Sequence, residues 1–195
     1  MSRRTRATLR GRWWRELLKS IAYCYRCGGK LKKAYVKAEK SRRLVCSKCG
    51  EITYVNPKVV AGLIPVMPDG RIALLRRDIE PSLGRWTYPA GFQEMGETSA
   101  AAAAREAMEE IAARVSVDSL VGIYSYADAG VVTIVYVGRV RHGEKPRPAH
   151  EAQEVGFFRP ADLPWKDLAF RSTGEALVDW LRTKRRKTKK AKSKS

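Results

Sequence analysis

No stretch of this 195-residue chain approaches the roughly 18 to 20 uninterrupted apolar residues that a membrane span needs. The apolar run from Val59 to Met67 stops at Pro68, Asp69 and Gly70, a turn signal. No apolar segment follows the Arg-rich N-terminus, so no secretory signal is expected. Cysteine is scarce, with four residues in two identical pairs, and a reducing, cytoplasmic setting is predicted, in which such pairs serve as metal ligands more often than as disulfides. Acidic residues are nearly missing from the ends: residues 1–20 set Glu16 against seven Arg/Lys, and residues 182–195 hold nine Lys/Arg and no acid. The formal net charge of +19 therefore belongs to the termini and the cysteine region, because residues 50–181 carry eighteen acids against fourteen bases. No internal repeat appears beyond the cysteine pairs. What remains is globular, 44% hydrophobic and 30% charged, enough for one ordinary domain and a small appendage.

Four segments follow. Residues 1–22 form a basic arm with Trp13, Trp14, Leu17, Leu18 and Ile21 at helix-like spacing. Residues 23–56 hold the cysteines, and residues 57–183 carry the periodic pattern of a folded domain. Within it, 59–67 and 71–77 read as strands joined by a tight turn, 78–96 as a Pro- and Gly-rich loop, 98–111 as a helix, 131–141 and 154–158 as strands. A second helix at 172–183 is opened by a capping-box pattern, Ser172 with Glu175. Residues 184–195 contain only Lys, Arg, Ser, Thr and Ala, a composition that predicts disorder.

Cys24 and Cys27 are two residues apart, as are Cys46 and Cys49, and Gly28 and Gly50 follow the second cysteine of each pair. Two thiolates in one tight turn bind two corners of a tetrahedral ion, and the glycine supplies the backbone freedom of that turn. Two such turns close a four-sulfur site with no position left for a catalytic water, so a structural Zn²⁺ is expected. The nine Lys/Arg of residues 21–49 offset the charge of a zinc tetrathiolate.

The chemistry centres on Gly91, Glu97, Arg105, Glu106, Glu109 and Glu110. On a helix Glu106, Glu109 and Glu110 share one face. Three carboxylates so placed repel one another unless a cation lies among them, and oxygen ligands of this kind suit Mg²⁺ or Mn²⁺.

This segment resembles the Nudix box, G-x5-E-x7-R-E-U-x-E-E-x-G-U with U aliphatic. The chain matches it at Gly91, Glu97, Arg105, Glu106, Glu109 and Glu110, with Ala107 and Ala113 at aliphatic positions; Ala112 stands where the box has its last glycine. The resemblance covers residues 23–182 and includes Asn56, Pro57 and Lys58 after the cysteines, Leu74 to Arg77, Trp86 to Phe92 and Asp167 to Phe170. The resemblance is to a subgroup of zinc-ribbon Nudix hydrolases whose members include diphosphatases acting on FAD and ADP-ribose. It implies an α/β fold, a Nudix α/β/α sandwich with a mixed sheet behind a small zinc ribbon. It also implies metal-dependent hydrolysis of a diphosphate linkage that releases AMP and a phosphorylated moiety. Glu106, Glu109 and Glu110, with a backbone carbonyl at Gly91 or Ala90, would hold the metal; Glu97 would assist and Arg105 would orient a glutamate. Glu151 and Glu154 are candidate general bases, with His150 a bystander. Trp86, Tyr88, Phe92 and Tyr126 are candidates for stacking a substrate ring, and Arg76, Arg77 and Arg85 for meeting phosphates.

An alternative is an NADH or NAD-capped RNA diphosphatase, although the SQPWPFP signature of that group is absent. Another is a nucleic-acid-binding protein that uses the fold as a scaffold. Salt-sensitive nonspecific nucleic-acid binding through the basic termini is expected as a side property. No membrane partner is expected. Many Nudix proteins are homodimers, but no interface is legible in the sequence.

Overall fold

The computed structural model describes residues 19–192, with side chains through Arg186. The helical arm expected at 1–22 lies outside the described residues except for its last four positions. The chain forms two compact units. One runs to Pro57 and takes in Tyr126–Gly130; the other begins at Lys58.

The first unit is a three-stranded antiparallel sheet of β1 (Leu31–Val36), β2 (Ser41–Cys46) and β3 (Ile52–Thr53), in that order. The two cysteine turns are built alike. Gly28 N–H donates to Cys24 O at 2.9 Å, and Gly50 N–H donates to Cys46 O at 3.1 Å. Both glycines sit in the left-handed region, at φ +68 and +76, where a side chain would be strained.

The second unit contains β4 (Lys58–Val66), β5 (Ile72–Arg77), β6 (Trp86–Thr87), β7 (Ala90–Phe92), α1 (Ser99–Ile111), β8 (Val115–Ser125), β9 (Val131–Val140), β10 (Ala152–Phe158) and α2 (Arg171–Lys192). The strand order is β10-β5-β4-β9-β8, with β4 parallel to β9 and the other pairs antiparallel. It is a mixed sheet. Strands β4 and β5 pair at Val66 and Ile72 beside their turn and then part. The segment between them and α1 fills the split: β6 pairs with Leu75 and Arg76, and β7 pairs with Val60, Ala61 and Gly62. These two short strands lie inside the expected 78–96 loop. At two and three residues they are too short to show a period. Strand β8 is also unexpected from the sequence, because bulges at Val117/Ser119 and Leu120/Gly122 break its alternation.

Helices cover both faces. On one face Ala61 and Leu63 of β4 join Ala102, Ala103, Ala107 and Ile111 of α1 in the core. The alanines bring the helix close to the sheet. On the other face Gly62 admits the buried ring of Tyr88; a Cβ on Gly62 would lie 2.5 Å from it. Tyr124 of β8 shares that second face and donates to Asp179 of α2 at 3.1 Å. The result is the expected α/β/α sandwich. Among the described residues, no helix is long and apolar enough to cross a membrane.

The helix ends depart from expectation in two places. Ser172 lies inside α2, which starts at Arg171, and Glu175 accepts from Arg171 Nε at 2.8 Å instead of closing a capping box. The helix also continues through Lys192, where composition predicts disorder; residues 193–195 lie outside the described part. Burial of Ala176, Leu177 and Trp180 nucleates α2, and Lys and Arg then propagate it at little cost. Helix α1 begins at the Thr98 cap, whose Oγ1 accepts from Ala101 N at 3.2 Å, and ends at Ala112 with φ 47 and ψ 42. This is the position where the Nudix box has glycine, and alanine holds the left-handed conformation against its Cβ. Ala112→Gly is expected to stabilise the protein by ~0.5–1 kcal/mol, read as a higher denaturation midpoint in urea; an unchanged or lower midpoint would refute the strain.

Candidate active site

The buried stripe of α1 contains Ala102, Ala103, Glu106, Ala107, Glu110 and Ile111. Two carboxylates therefore point toward the sheet with the alanines, while Glu109 flanks them in solvent. Glu110 Oε2 accepts the Ala90 N–H of β7 at 2.9 Å. Burial pushes its carboxyl up from 4.5 to about 8, against the pull of that hydrogen bond. Burial raises Glu106 as well, and Arg105 opposes the shift. Gly91 lies directly over Glu106. A Cβ there would sit 2.3 Å from the carboxyl carbon, so a side chain at position 91 would push the carboxyl end of Glu106 out of its place.

Arg105 organises the rest. Its Nε and Nη2 form a fork on Glu97, at 3.2 and 2.8 Å. Nη2 also donates to Phe92 O at 3.0 Å, and Nη1 bridges Glu106 Oε1 at 2.8 Å and Glu109 Oε2 at 2.9 Å. The fork holds the Glu97 carboxyl below its usual range, helped by the Glu94 N–H. Glu106 and Glu109 thus share the Arg105 guanidinium, while Glu110 is held by the Ala90 N–H.

A loop from β9 returns over the C-terminal end of α1. The N–H groups of Arg147, Ala149 and His150 donate to the carbonyls of Ile111, Glu110 and Glu109 at 3.0–3.1 Å. These are carbonyls that a helix end leaves without intrahelical partners. His150 contributes its backbone here. The next residue, Glu151, has φ 59 and accepts the Asp78 N–H at 2.8 Å. Its charge raises both Glu106 and Glu110. Glu154 is placed differently, opposite Arg76 on β5 with their charges 3.7 Å apart. Arg77 is buried; its Nε donates to Pro81 O at 2.9 Å, its guanidinium lies 5.1 Å from the Phe170 ring, and Glu110, Glu151 and Glu80 oppose the effect of burial on it.

The ring candidates separate by exposure. Tyr88 is fully buried against Gly62 and has no face for a ligand, which corrects the expectation that it stacks a substrate ring. Trp86 packs edge-on against Phe158, with centroids 5.0 Å apart. Phe92 is 52% exposed, next to Gly91, with the Lys58 ammonium 4.8 Å from its centroid. Arg76 donates to Gly84 O at 2.9 Å and Arg85 to Lys166 O at 3.2 Å. The backbone contributors, Ala90 N–H and Phe92 O, carry no signal in a sequence.

In the first unit the sulfurs of Cys24, Cys27, Cys46 and Cys49 lie within 4.8 Å of one another. Individual separations are 3.8 Å for Cys24–Cys49, 3.5 Å for Cys27–Cys46 and 3.3 Å for Cys27–Cys49. The N–H groups of Cys49 and Lys48 point at Cys46 Sγ and bring that thiol down to about 6. Four thiols so gathered suit a tetrahedral zinc ion.

Two family models match the chain: the NUDIX domain over residues 56–181 and the Nudix N-terminal zinc ribbon over residues 22–55. An ADP-ribose pyrophosphatase of Methanocaldococcus jannaschii is 36% identical over 136 residues, which is 67% of this chain and 77% of that protein. The NAD-capped RNA hydrolase NudC of Citrobacter koseri is 29% identical over 149 residues, 76% of this chain; the match spans 56% of that longer protein. The crystal structure of a NUDIX hydrolase from Nitrosomonas europaea superposes with a TM-score of 0.76 at 36% identity, covering 80% of this chain and 88% of that one. With the box residues gathered between β7 and α1 and the matches spanning both units, the chain belongs to the Nudix family as a zinc-ribbon member, a hydrolase of pyrophosphate linkages in nucleotide derivatives.

Proposed function

We propose that the substrate is a nucleoside diphosphate derivative, ADP-ribose or FAD, cleaved in a Mg²⁺- or Mn²⁺-dependent reaction to AMP and a phosphorylated second moiety. The observation that carries this reading is the pair of buried carboxylates, Glu106 and Glu110, beneath a glycine whose Cβ would collide with one of them. ADP-ribose is supported by the Methanocaldococcus jannaschii relative, and FAD by the resemblance of the box and its flanks.

The residues fit a hard cation. Glu110 is buried at a cost that an adjacent cation would offset, and Glu106 and Glu109 now share one Arg105 nitrogen that a metal ion would relieve. When bound, such an ion neutralises diphosphate oxygens and acidifies a water. Glu106, Glu109 and Glu110 hold it. Glu97 and Arg105 fix the positions of those carboxylates. Glu151, whose field reaches Glu106 and Glu110, is the better-placed base than Glu154 to take the proton from water as it attacks phosphorus and the P–O anhydride bond breaks. Phe92, half-exposed with the Lys58 ammonium over its ring, is the aromatic side chain accessible to a base. The four thiols of the ribbon hold a structural Zn²⁺ in the same reading.

Three outcomes test this. With Mg²⁺ present, a panel of ADP-ribose, FAD, NADH and NAD-capped RNA followed by chromatography should show AMP released from ADP-ribose or FAD, with Glu109→Gln lowering turnover by about 10²-fold or more. Cleavage of NAD-capped RNA alone would favour instead the reading suggested by the Citrobacter koseri relative. Gly91→Ala should displace the flexible end of Glu106 and cost about 10²-fold in kcat/KM while the melting temperature moves little; equal losses of both would make Gly91 a purely structural residue. In the metal-free protein Glu110 holds its proton up to about 8 in the folded state but only to 4.5 unfolded, so stability contributed at low pH is lost as pH rises between those values. Metal binding must expel that proton. Affinity for Mn²⁺ measured by calorimetry should therefore rise about tenfold per pH unit below pH 8, and a flat profile would refute the role of Glu110.

A further inference from the structure

Aromatic and basic side chains stand on both faces of the ribbon sheet. On one, Arg43 donates to Glu39, Tyr54 O–H donates to the same carboxylate, and the Arg43 guanidinium lies 5.8 Å from the Tyr54 ring. Tyr25 and Arg26 are likewise engaged, both on Glu51. The opposite face carries Lys33 and Tyr35 of β1 and Arg42 of β2. Tyr35 and Arg42 are register partners, and Lys33 is two residues from Tyr35 on the same side. All three are exposed, Tyr35 at 60%, and none of their side chains has a hydrogen bond or ion pair with a described residue. Balancing a zinc tetrathiolate does not account for Arg42. Arg42 lies four residues from Cys46 along β2, roughly 13 Å at the strand rise, beyond the ~8–10 Å over which exposed charges act in physiological salt.

We propose that this face of the ribbon binds single-stranded nucleic acid, with a base stacked on Tyr35 and phosphates met by Arg42 and Lys33. The charge is complementary to a polyanion, since residues 21–49 hold nine Lys/Arg against Glu39 alone. An exposed aromatic ring between two cations is the pairing by which single strands are held without base-specific contacts. A duplex keeps its bases stacked inside and gains nothing from Tyr35. These three residues belong to the ribbon unit, whereas the basic C-terminal residues, which attract any polyanion, belong to the other.

The test uses the full-length, zinc-loaded protein and fluorescence anisotropy with a labelled single-stranded oligouridylate, the matching RNA duplex, and phosphatidylserine vesicles. Tyr35→Ala should weaken single-strand binding about 5- to 100-fold and leave duplex binding unchanged. Tyr35→Phe, which keeps the ring, should bind like the parent. Arg42→Ala should lower the slope of log affinity against log salt by about 0.7. Zinc content and melting temperature should stay at the parent values, because none of these side chains is packed. Equal single-strand affinity for Tyr35→Ala and the parent overturns the proposal. So does an equal loss for Tyr35→Phe and Tyr35→Ala, or a loss confined to the duplex or to vesicles.

Discussion

A single guanidinium holds the catalytic end of this protein together. Arg105 has five N–H donors, and five acceptor atoms surround it: both oxygens of Glu97, one each of Glu106 and Glu109, and the Phe92 carbonyl. Through the last of these the helix is tied to β7, and through Glu97 it is tied to the loop that leads into it. Lysine could not do the same work, since a point charge with three donors has no fork for Glu97. Without the guanidinium, Glu97, Glu106 and Glu109 would face one another across a site already crowded with charge.

That arrangement depends in turn on an opening in the sheet. Because β4 and β5 separate beyond their turn, the chain between β5 and α1 can enter the split and lay Gly91 against β4. Ala61 of β4 is the register partner of Gly91, and the same strand's Ala61 and Leu63 support α1. The glycine, the helix and the sheet are thus fixed by one strand. The return loop adds the second constraint. Its N–H groups satisfy the last carbonyls of α1, and the Glu151 carbonyl that follows accepts the Asp78 N–H, while Glu154, three residues on, lies opposite Arg76.

Charge is divided along the chain in a way the two units explain. The catalytic unit collects carboxylates and needs cations. The ribbon collects lysine and arginine, of which Arg43 is paired with Glu39 and Arg26 with Glu51. A protein with a pI near 10.1 can therefore keep an acidic reaction centre.

What the sequence by itself determined was two cysteine pairs at zinc-binding spacing, a box whose charged positions are all filled, the strands marked by apolar and β-branched runs, and the helix that carries Glu106, Glu109 and Glu110. These are local patterns, readable because helix and strand periods and ligand spacing are properties of a few neighbouring residues. Tertiary structure decided the rest. It buried Glu106 and Glu110 but left Glu109 in solvent, took Tyr88 into the core, set Glu154 opposite Arg76, and extended α2 to Lys192. It also revealed β6 and β7, too short to have a period, and β8, whose bulges erase one. Each of these depends on contacts between residues far apart in the chain or on backbone N–H and C=O groups, which are identical in nearly every residue and so leave no mark in a sequence.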